Sequence, residues 1–379
     1  MNYRNGKWAQ QILSQRGEDG LWGNFHTLSC PVSGRGITTE QAIRRLYYLG
    51  YTAKDEAIQQ VMKRMEQCVR GERPIDHYSE KKHDWPFFEK LMLAAWLRTF
   101  DPQNETGLEV AHQWARVVER AFAGGSYSAA DDIAAFTEWK GRKPKSGFET
   151  GFGMFYHAAL LPGVLSPKTE ELFLDYYLSK PDGMYYIYDR PLNRPPEVFA
   201  SRQASCYLAA IEVLSRYGKA GEKLGFVREW LYANRNADGQ WDFGEKAKDG
   251  VYFPLSDRWD KTGRTADSTY RARRLLGLNS CCGHDCMRCV TYAAAQTDSD
   301  DLRRQSQAFY KEQFGMELPL NKFHCGGCRS ADVFELCGEC PFKKCCGERG
   351  IEACDQCPEY PCREMADYRE RYVNRCNQI

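Results

Sequence analysis

The sequence predicts an all-α protein in which a large helical body precedes a small cysteine-rich module. Apolar residues recur at helical spacing through residues 1–280, and Gly- and Asp-rich turns separate the periodic runs. All nine tryptophans lie in this part and none follows Trp259, whereas fourteen of the seventeen cysteines lie between Cys281 and Cys376. The change in composition predicts two domains, 1–278 and 279–379.

The helices of the body are predicted from start and stop signals and from periodicity. Thr38 offers an N-cap oxygen to a run that Gly50 ends, and the next run, 57–69, has one apolar face. The run 87–96 is apolar nearly all round, which predicts a buried inner helix. Only Tyr185–Tyr188 suggests a short strand. The further predicted helices are 108–122, 130–140, 152–161, 169–179, 201–217, 222–234 and 267–277.

Two turns of the body share one phrase, a polar residue followed after four positions by Gly-x-Trp. The first copy is Gln15, Gly20 and Trp22, and the second has Asn234 in place of glutamine, with Trp241 at its end. An Asp-Gly pair in each copy predicts a tight turn with positive φ at the glycine. The tryptophan is expected to fold back onto a neighbouring helix, with its indole N–H bound to a polar partner.

The phrase at Gln15, Gly20 and Trp22 resembles the QW motif of the squalene-cyclase and prenyltransferase superfamily. The resemblance implies an α/α toroid, in which helix hairpins surround a central pocket; an irregular helical-repeat array is the alternative. The catalytic residues of that superfamily do not carry over. Its Asp-x-Asp-Asp acid is matched only at Asp298, inside the cysteine-rich part, where the residues are typical of a helix N-terminus.

Tyrosine-rich stretches with fixed charges predict a pocket in the body. Aromatic walls with a few charges suit an apolar or cationic ligand, and the alternative is that these residues fill the core and tie loops together. No catalytic triad, P-loop or dinucleotide fingerprint is recognisable, so the sequence leaves open whether the body is an enzyme. The candidate pocket residues are Tyr185, Tyr188, Asp189, Asp257, Arg258, Asp267 and Arg271.

The cysteine spacing predicts a metal-binding module. A Cys-x-x-Cys turn presents two sulfurs to one ion, and four such pairs would make two four-thiolate zinc sites. An iron–sulfur cluster is the rival, because Cys340 and Cys357 each precede a proline as in ferredoxin motifs, although the full ferredoxin run is absent. Disulfides are the remaining alternative. The predicted ligands are Cys282, Cys286, Cys289, Cys325, Cys328, Cys337, Cys340, Cys345, Cys354, Cys357 and Cys362.

The same spacing resembles a cysteine-rich bacterial and archaeal domain of unknown function, number 3795. The residues that carry the resemblance run from about 281 to 365, and they include the doubled C-x-x-C-P-x-x-x-C phrase. The resemblance identifies a module and implies no activity.

Charge and hydropathy limit the partners. The formal net charge is +1, and residues 281–379 hold 13 Lys and Arg against 16 Asp and Glu, a balance opposite to that of a nucleic-acid-binding zinc module. No apolar run is long enough for a membrane span and no signal peptide is recognisable, so a cytoplasmic location with reduced thiols is expected.

The sequence therefore favours a body that binds a small apolar ligand or a protein partner, with a structural zinc module. The alternative is an enzyme for an isoprenoid-like or other apolar substrate, with or without an iron–sulfur tail.

Overall fold

The computed structural model describes residues 3–27, 31, 36–75, 84–145, 149–277, 280–284, 286, 289–351, 353–354 and 357–368. Every regular element within these ranges is a helix, which confirms the predicted all-α class. The chain divides into a smaller unit, Met1–Gly6, Arg235–Trp241 and Thr265–Ile379, and a larger unit, Lys7–Asn234 and Asp242–Arg264. The predicted boundary near residue 278 falls on residues 278–279, which lie outside the described residues.

The larger unit is built from short and medium-length helices. They are α1 Lys7–Leu13, α2 Thr39–Tyr48, α3 Glu56–Val69, α4 Trp85–Phe100, α5 Glu105–Ala121, α6 Ala129–Lys140, α7 Phe155–Leu160, α8 Pro167–Ser179, α9 Arg202–Leu214, α10 Ala220–Lys223 and α11 Gly225–Ala233.

Helix α4 is the buried inner helix that the sequence predicts. It packs against α3, α5 and α7, and α7 in turn packs against α9. Seven consecutive residues, 91–97, are each at most 5% exposed, so α4 is covered on all sides. Burying a large apolar side chain contributes about 1.5–3 kcal/mol, which makes α4 the main hydrophobic element of this unit.

Helix α2 begins where the sequence predicts, with a capping box. The Thr38 hydroxyl accepts the backbone N–H of Gln41 at 3.4 Å, and the Gln41 side chain accepts the backbone N–H of Thr38 at 2.9 Å. Two N–H groups that the first helical turn cannot satisfy are thereby bound. The cap fixes the start of the helix that carries Glu40 and Arg44.

The first Gly-x-Trp turn has the predicted geometry. Gly20 has φ +81°, and the backbone N–H of Gly17 donates to the carbonyl of Leu21 at 2.8 Å. Trp22 is fully buried; its backbone N–H donates to Thr39 Oγ1 at 3.0 Å and its indole N–H to the carbonyl of Ile12 at 2.6 Å. The tryptophan thus attaches the turn to both α1 and α2, which confirms the prediction.

The second copy, in the smaller unit, repeats this arrangement. Gly239 has φ +75°, and the N–H of Asn236 donates to the carbonyl of Gln240 at 2.8 Å. Trp241 is fully buried, and its backbone N–H donates to Thr269 Oγ1 at 3.1 Å. The same backbone turn and the same threonine contact therefore occur twice, and asparagine replaces glutamine without altering them.

The predicted strand at Tyr185–Tyr188 is wrong. The structure forms only isolated bridges there, one of them between Met184 and Tyr188, whose backbone N–H and C=O bond at 2.8 Å across a tight turn. Gly183 has φ +63° and Tyr186 has φ +74°, so the chain reverses too quickly for a strand to extend. Apolar and aromatic residues that suggested a strand are instead turn residues.

The smaller unit contains the part of α12 (Lys261–Leu275) from Thr265 onward, the equally long α14 (Asp300–Phe314) and several shorter helices, the first of which is α13 (Val290–Thr297). Helix α12 begins earlier than predicted, because its first turns carry charged and polar residues without apolar periodicity. Helices α13 and α14 pack together, and the hydroxyls of Thr291 and Ser306 meet between them at 2.6 Å. Asp300 starts α14 behind the N-cap Ser299, as its acidic run predicts. These helices are α12 Lys261–Leu275, α13 Val290–Thr297, α14 Asp300–Phe314, α15 Glu335–Gly338, α16 Pro341–Arg349 and α17 Arg363–Tyr368.

Across the described ranges, the helices fall short of the length and apolar character that a membrane crossing requires.

Candidate functional site

The thiols of the smaller unit fall into two groups. In the first thiol group, Cys286, Cys289 and Cys328 pack around the buried Tyr292. Cys325 and Cys337 pack in a second cluster with Phe334, and they interact electrostatically with Cys289. Burial raises the pKa of the Cys286 thiol and the charges of Cys328 and Cys289 raise it further, whereas a backbone hydrogen bond from Cys328 lowers it. The Cys286 thiol is therefore protonated at neutral pH, and a metal ion would have to displace its proton. The group comprises Cys286, Cys289, Cys325, Cys328 and Cys337.

Cys325 has the best-defined surroundings in the first thiol group. Its sulfur accepts the backbone N–H of Gly327 at 3.4 Å and that of Phe334 at 3.4 Å, and the side chain is 6% exposed. Both contacts favour negative charge on the sulfur, as outer hydrogen bonds do for a metal-bound thiolate. A Cβ at Gly326 would lie 2.4 Å from Ser330 Oγ, so this Cys-Gly-Gly-Cys turn depends on glycine.

The second thiol group lies around a separate small core that contains Phe342 and Met365. Cys346 and Cys354 are both buried, and their sulfurs are 3.7 Å apart. Cys281 is 1% exposed and packs in the same core. A hydrogen bond with Cys328 lowers the pKa of Cys281, whereas one with Cys346 and burial raise it, with a net value of about 11. The group is Cys281, Cys346 and Cys354, with Cys282, Cys340 and Cys362 packed against them.

Two of the second group's members lie outside the predicted ligand set. Cys281 and Cys346 lie outside the repeated spacing, and the sequence suggests them only as extra ligands for a third zinc site. The sequence contains one signal for both residues, because Cys281 directly precedes the predicted ligand Cys282 and Cys346 directly follows the predicted ligand Cys345. Adjacent cysteines can reach one site when the backbone between them turns.

The remaining predicted ligands lie beside Arg349 on α16. Its guanidinium donates to Cys357 Sγ at 3.3 Å and to Glu359 at 3.0 Å, and it also bonds Cys345. Within the described part of the chain, no three or more His, Cys, Asp and Glu side chains are arranged so that they could hold a metal ion. The thiols thus lie in pairs and loose groups.

The predicted pocket residues separate into three places. Tyr185, Tyr188 and Asp189 line one cavity of about 550 Å³ in the larger unit, together with Arg190 and Arg202. Tyr185 is 45% exposed, and its ring lies 4.1 Å from that of Tyr186. This cavity is large enough for a small organic ligand.

The other predicted pocket residues do not line that cavity. Asp257 accepts the backbone N–H of Lys7 at 2.8 Å, and the carbonyl of Arg258 accepts the hydroxyl of Ser256 at 2.9 Å, so these residues hold a loop together. Asp267 and Arg271 belong to the smaller unit and are 0% and 1% exposed. The structure therefore brings together three of the seven residues.

A buried polar cluster in the larger unit escaped the sequence reasoning. Glu40 is fully buried and accepts from Arg44 at 3.2 Å, from Trp96 Nε1 at 2.9 Å, from the Tyr156 hydroxyl at 2.7 Å and from the Thr27 N–H at 2.7 Å. Burial raises the pKa of this carboxyl, but Arg44 and the hydrogen bonds outweigh burial and keep it below its ordinary value. The carboxylate is therefore charged inside the core.

The cysteine-rich part resembles a known family. A family model described as "Protein of unknown function (DUF3795)" matches residues 278–367, which contain both thiol groups. No curated protein and no solved structure matches the chain. The family match supports the predicted resemblance of the C-terminal part, whereas the resemblance of the body to the prenyltransferase superfamily stays a prediction. The C-terminal quarter of the chain is thus similar to a family without an assigned activity.

Proposed function

We propose that residues 279–379 form a zinc-binding module in which the metal stabilises the fold, and that the body is an α/α toroid that binds a small apolar ligand or a protein partner. The observation that carries the metal proposal is the pair of backbone N–H groups on Cys325 Sγ. Sulfurs with such donors are suited to the thiolate state that zinc requires.

Donor chemistry favours zinc over a hard cation. Sulfur ligands select zinc, Cu(I) or iron–sulfur clusters, whereas magnesium and calcium take oxygen. Cys286, Cys289, Cys325 and Cys328 would hold one ion. A second ion would take four of the remaining thiols. These are the predicted ligands Cys282, Cys337, Cys340, Cys345, Cys354, Cys357 and Cys362, together with Cys281 and Cys346 of the second thiol group.

The spacing of Cys346 and Cys354 agrees with this chemistry. Two sulfurs each ~2.3 Å from one tetrahedral zinc ion lie about 3.8 Å apart. The observed separation is 3.7 Å. A disulfide would hold the sulfurs about 2.05 Å apart, so the pair is not a disulfide, and the spacing suits two hydrogen-bonded thiols as well as two ligands of one ion.

The cavity lined by Tyr185 and Tyr188 supports ligand binding by the body. Its volume of about 550 Å³ and its tyrosine wall suit an apolar or cationic small molecule. The successive packing of α4, α7 and α9 is compatible with the inner helices of a toroid. The same cavity is the substrate site in the alternative function, an enzyme for an isoprenoid-like or other apolar substrate with an iron–sulfur tail.

Metal analysis of anaerobically purified protein tests the metal proposal. We expect a colourless protein with stoichiometric zinc, and a Cys325→Ser variant that retains less of it than wild type. Cys68→Ser, which changes a buried cysteine on α3, is the matched control and keeps its zinc. Brown protein with iron and acid-labile sulfide would replace the zinc proposal by the iron–sulfur alternative, and metal-free protein would refute both.

A further inference from the structure

Arg44 is a buried cation that borders two cavities of the larger unit. It lies on α2, is 8% exposed, and lines one cavity of about 350 Å³ and a smaller one of about 50 Å³. The smaller cavity has room for a few water molecules only, since each needs roughly 10–15 Å³ of such volume. The larger cavity is of ligand size.

The guanidinium of Arg44 has unused donors. Arginine carries five N–H groups, and in the described part of the chain Arg44 donates to Glu40 alone, from Nη2 at 3.2 Å. The rings of Phe155, 5.0 Å away, and Trp96, 5.6 Å away, lie beside the guanidinium. Burial lowers its pKa, whereas Glu40 and the nearby hydroxyls of Tyr252, Tyr156 and Tyr48 raise it. In the described ranges, no Arg44 nitrogen is among the buried atoms without a partner, and the side chain lines both cavities, so its remaining N–H groups are available to an acceptor that enters them.

The other charged side chains of the larger cavity, Arg45 and Asp249, are already used by the fold, and so is the Gln41 amide, whereas the Thr27 hydroxyl is buried without a hydrogen-bond partner among the described residues. Arg45 donates to the carbonyls of Val251, at 3.3 Å, and Pro254. The Gln41 amide closes the capping box of α2. Asp249 Oδ1 accepts three backbone N–H groups at 2.7–3.0 Å, so backbone dipoles offset its charge. Arg44 is therefore the group on this lining best placed to bind an incoming acceptor.

The rest of the lining determines what kind of acceptor fits. Trp8, Ile12, Ile37 and Val251 form the apolar wall of the cavity. Arg45 adds a second positive charge to that of Arg44. The two arginines together offset the repulsion between a bound monoanion and the Glu40 carboxylate. A planar carboxylate matches the guanidinium fork, and an apolar body attached to it would contact the apolar wall.

We propose that this cavity binds a small organic carboxylate, with the carboxylate on Arg44 and the apolar body against Trp8 and Val251. The inference concerns a different cavity from the one lined by Tyr185, and it does not depend on the metal proposal. Trp8 on the wall provides a fluorescent reporter of occupancy.

Titration with matched probes tests this site in the full-length protein. Sodium benzoate and sodium indole-3-acetate are the carboxylate probes, benzamide is the uncharged isostere of benzoate, and inorganic phosphate is the alternative anion. We expect saturable binding of a carboxylate by calorimetry, at least tenfold tighter than binding of benzamide or phosphate. Phosphate binding as tight as that of the carboxylates would overturn the assignment to a carboxylate.

The variant Arg44→Lys keeps the positive charge beside Glu40 but removes the planar fork. It is expected to weaken carboxylate binding about tenfold or more while the protein remains folded by circular dichroism. The same change at exposed Arg120, which pairs with Glu138, is the control and leaves binding unchanged. Unchanged affinity in Arg44→Lys, or no saturable binding of either carboxylate to the wild type, would overturn the proposal.

Should Arg44→Lys fail to fold, Val251→Glu provides the second variant. It introduces a negative charge on the cavity wall, at a partly exposed position outside the helices. Loss of carboxylate binding supports the site, and binding equal to wild type contradicts it.

Discussion

The indole N–H of Trp96 on α4 donates to the carboxylate of Glu40 on α2 across 2.9 Å inside the larger unit. The Tyr156 hydroxyl on α7 donates to the same oxygen at 2.7 Å. One buried carboxylate therefore connects three helices, at a point where no water competes for its lone pairs. In such surroundings each hydrogen bond to a charged group is stronger than on the surface.

Replacing Glu40 by glutamine is expected to lower the free energy of unfolding by about 3 kcal/mol. The substitution preserves shape but removes the charge that offsets Arg44, and breaking one side of a buried ion pair costs roughly 3–5 kcal/mol. Urea denaturation followed by circular dichroism measures the change. The control Glu56→Gln alters a surface carboxylate whose side chain is 79% exposed and is expected to cost under about 1 kcal/mol. Equal losses in the two variants would contradict a special role for Glu40.

The two Gly-x-Trp turns give a paired prediction. Thr39→Val and Thr269→Val each remove the hydroxyl that accepts a tryptophan backbone N–H, and each leaves that buried N–H without its acceptor. Both variants are expected to lose about 1–3 kcal/mol of stability. Thr137→Val, at a half-buried position on α6 whose hydroxyl donates to a carbonyl of its own helix, serves as the comparison and is expected to change stability by less than about 0.5 kcal/mol. A loss in one turn only would show that the two copies are not equivalent.

The buried side chain of His157 is expected to make the free energy of unfolding depend on pH. Burial lowers its pKa from 6.5 to about 3, and its ring packs 4.6 Å from that of Trp114. Below pH 6.5 the unfolded chain binds a proton at this residue that the folded chain does not, so the folded state loses about 1.4 kcal/mol per pH unit between pH 6.5 and 3.

His157→Leu removes this proton uptake. The stability of the variant relative to wild type is therefore expected to rise steadily as the pH is lowered through this window. Urea denaturation at a series of pH values measures the difference. Parallel stability profiles for the two proteins would rule out the neutral buried histidine.

Chelation of metal should unfold the cysteine-rich part and spare the body. Small metal modules fold on their metal, because few apolar residues are available to them and the binding free energy is folding free energy. Hydrogen exchange is expected to lose protection in α13 and α16 on addition of chelator, while α4 stays protected. Unaltered exchange in α16 after complete metal removal would mean that the metal does not stabilise this part.

The sequence predicts the helices well where local chemistry decides them. Thr38 and Gln41 form their capping box from neighbouring residues alone, and the apolar run in α4 is buried as its composition requires. The start of helix α12 is harder to predict from the sequence, because its first turns lack apolar periodicity. The turn at Tyr186 is harder still: a positive φ at a tyrosine is disfavoured locally and depends on the surrounding fold.

The candidate sites depend on contacts that spacing cannot predict. Glu40 and Arg44 look like a surface pair at i and i+4, and only the packing of α4 and α7 over them places them in the core. Cys281 approaches Cys346 because the chain between them folds back, over a separation too long for a motif. Spacing predicts Cys325 as a ligand, but it does not predict that the N–H groups of Gly327 and Phe334 both reach its sulfur.

The glycines of the two Gly-x-Trp turns differ in the space available for a side chain. A Cβ at Gly20 would lie 2.8 Å from Gln60 Oε1, whereas one at Gly239 would have no heavy atom within 4 Å. Asparagine, the residue that best replaces glycine at positive φ, therefore fits the second turn, whereas in the first it requires the exposed Gln60 side chain on α3 to move aside. Of two turns with the same backbone, only the second can accept a side chain at its glycine without a change in a neighbouring residue.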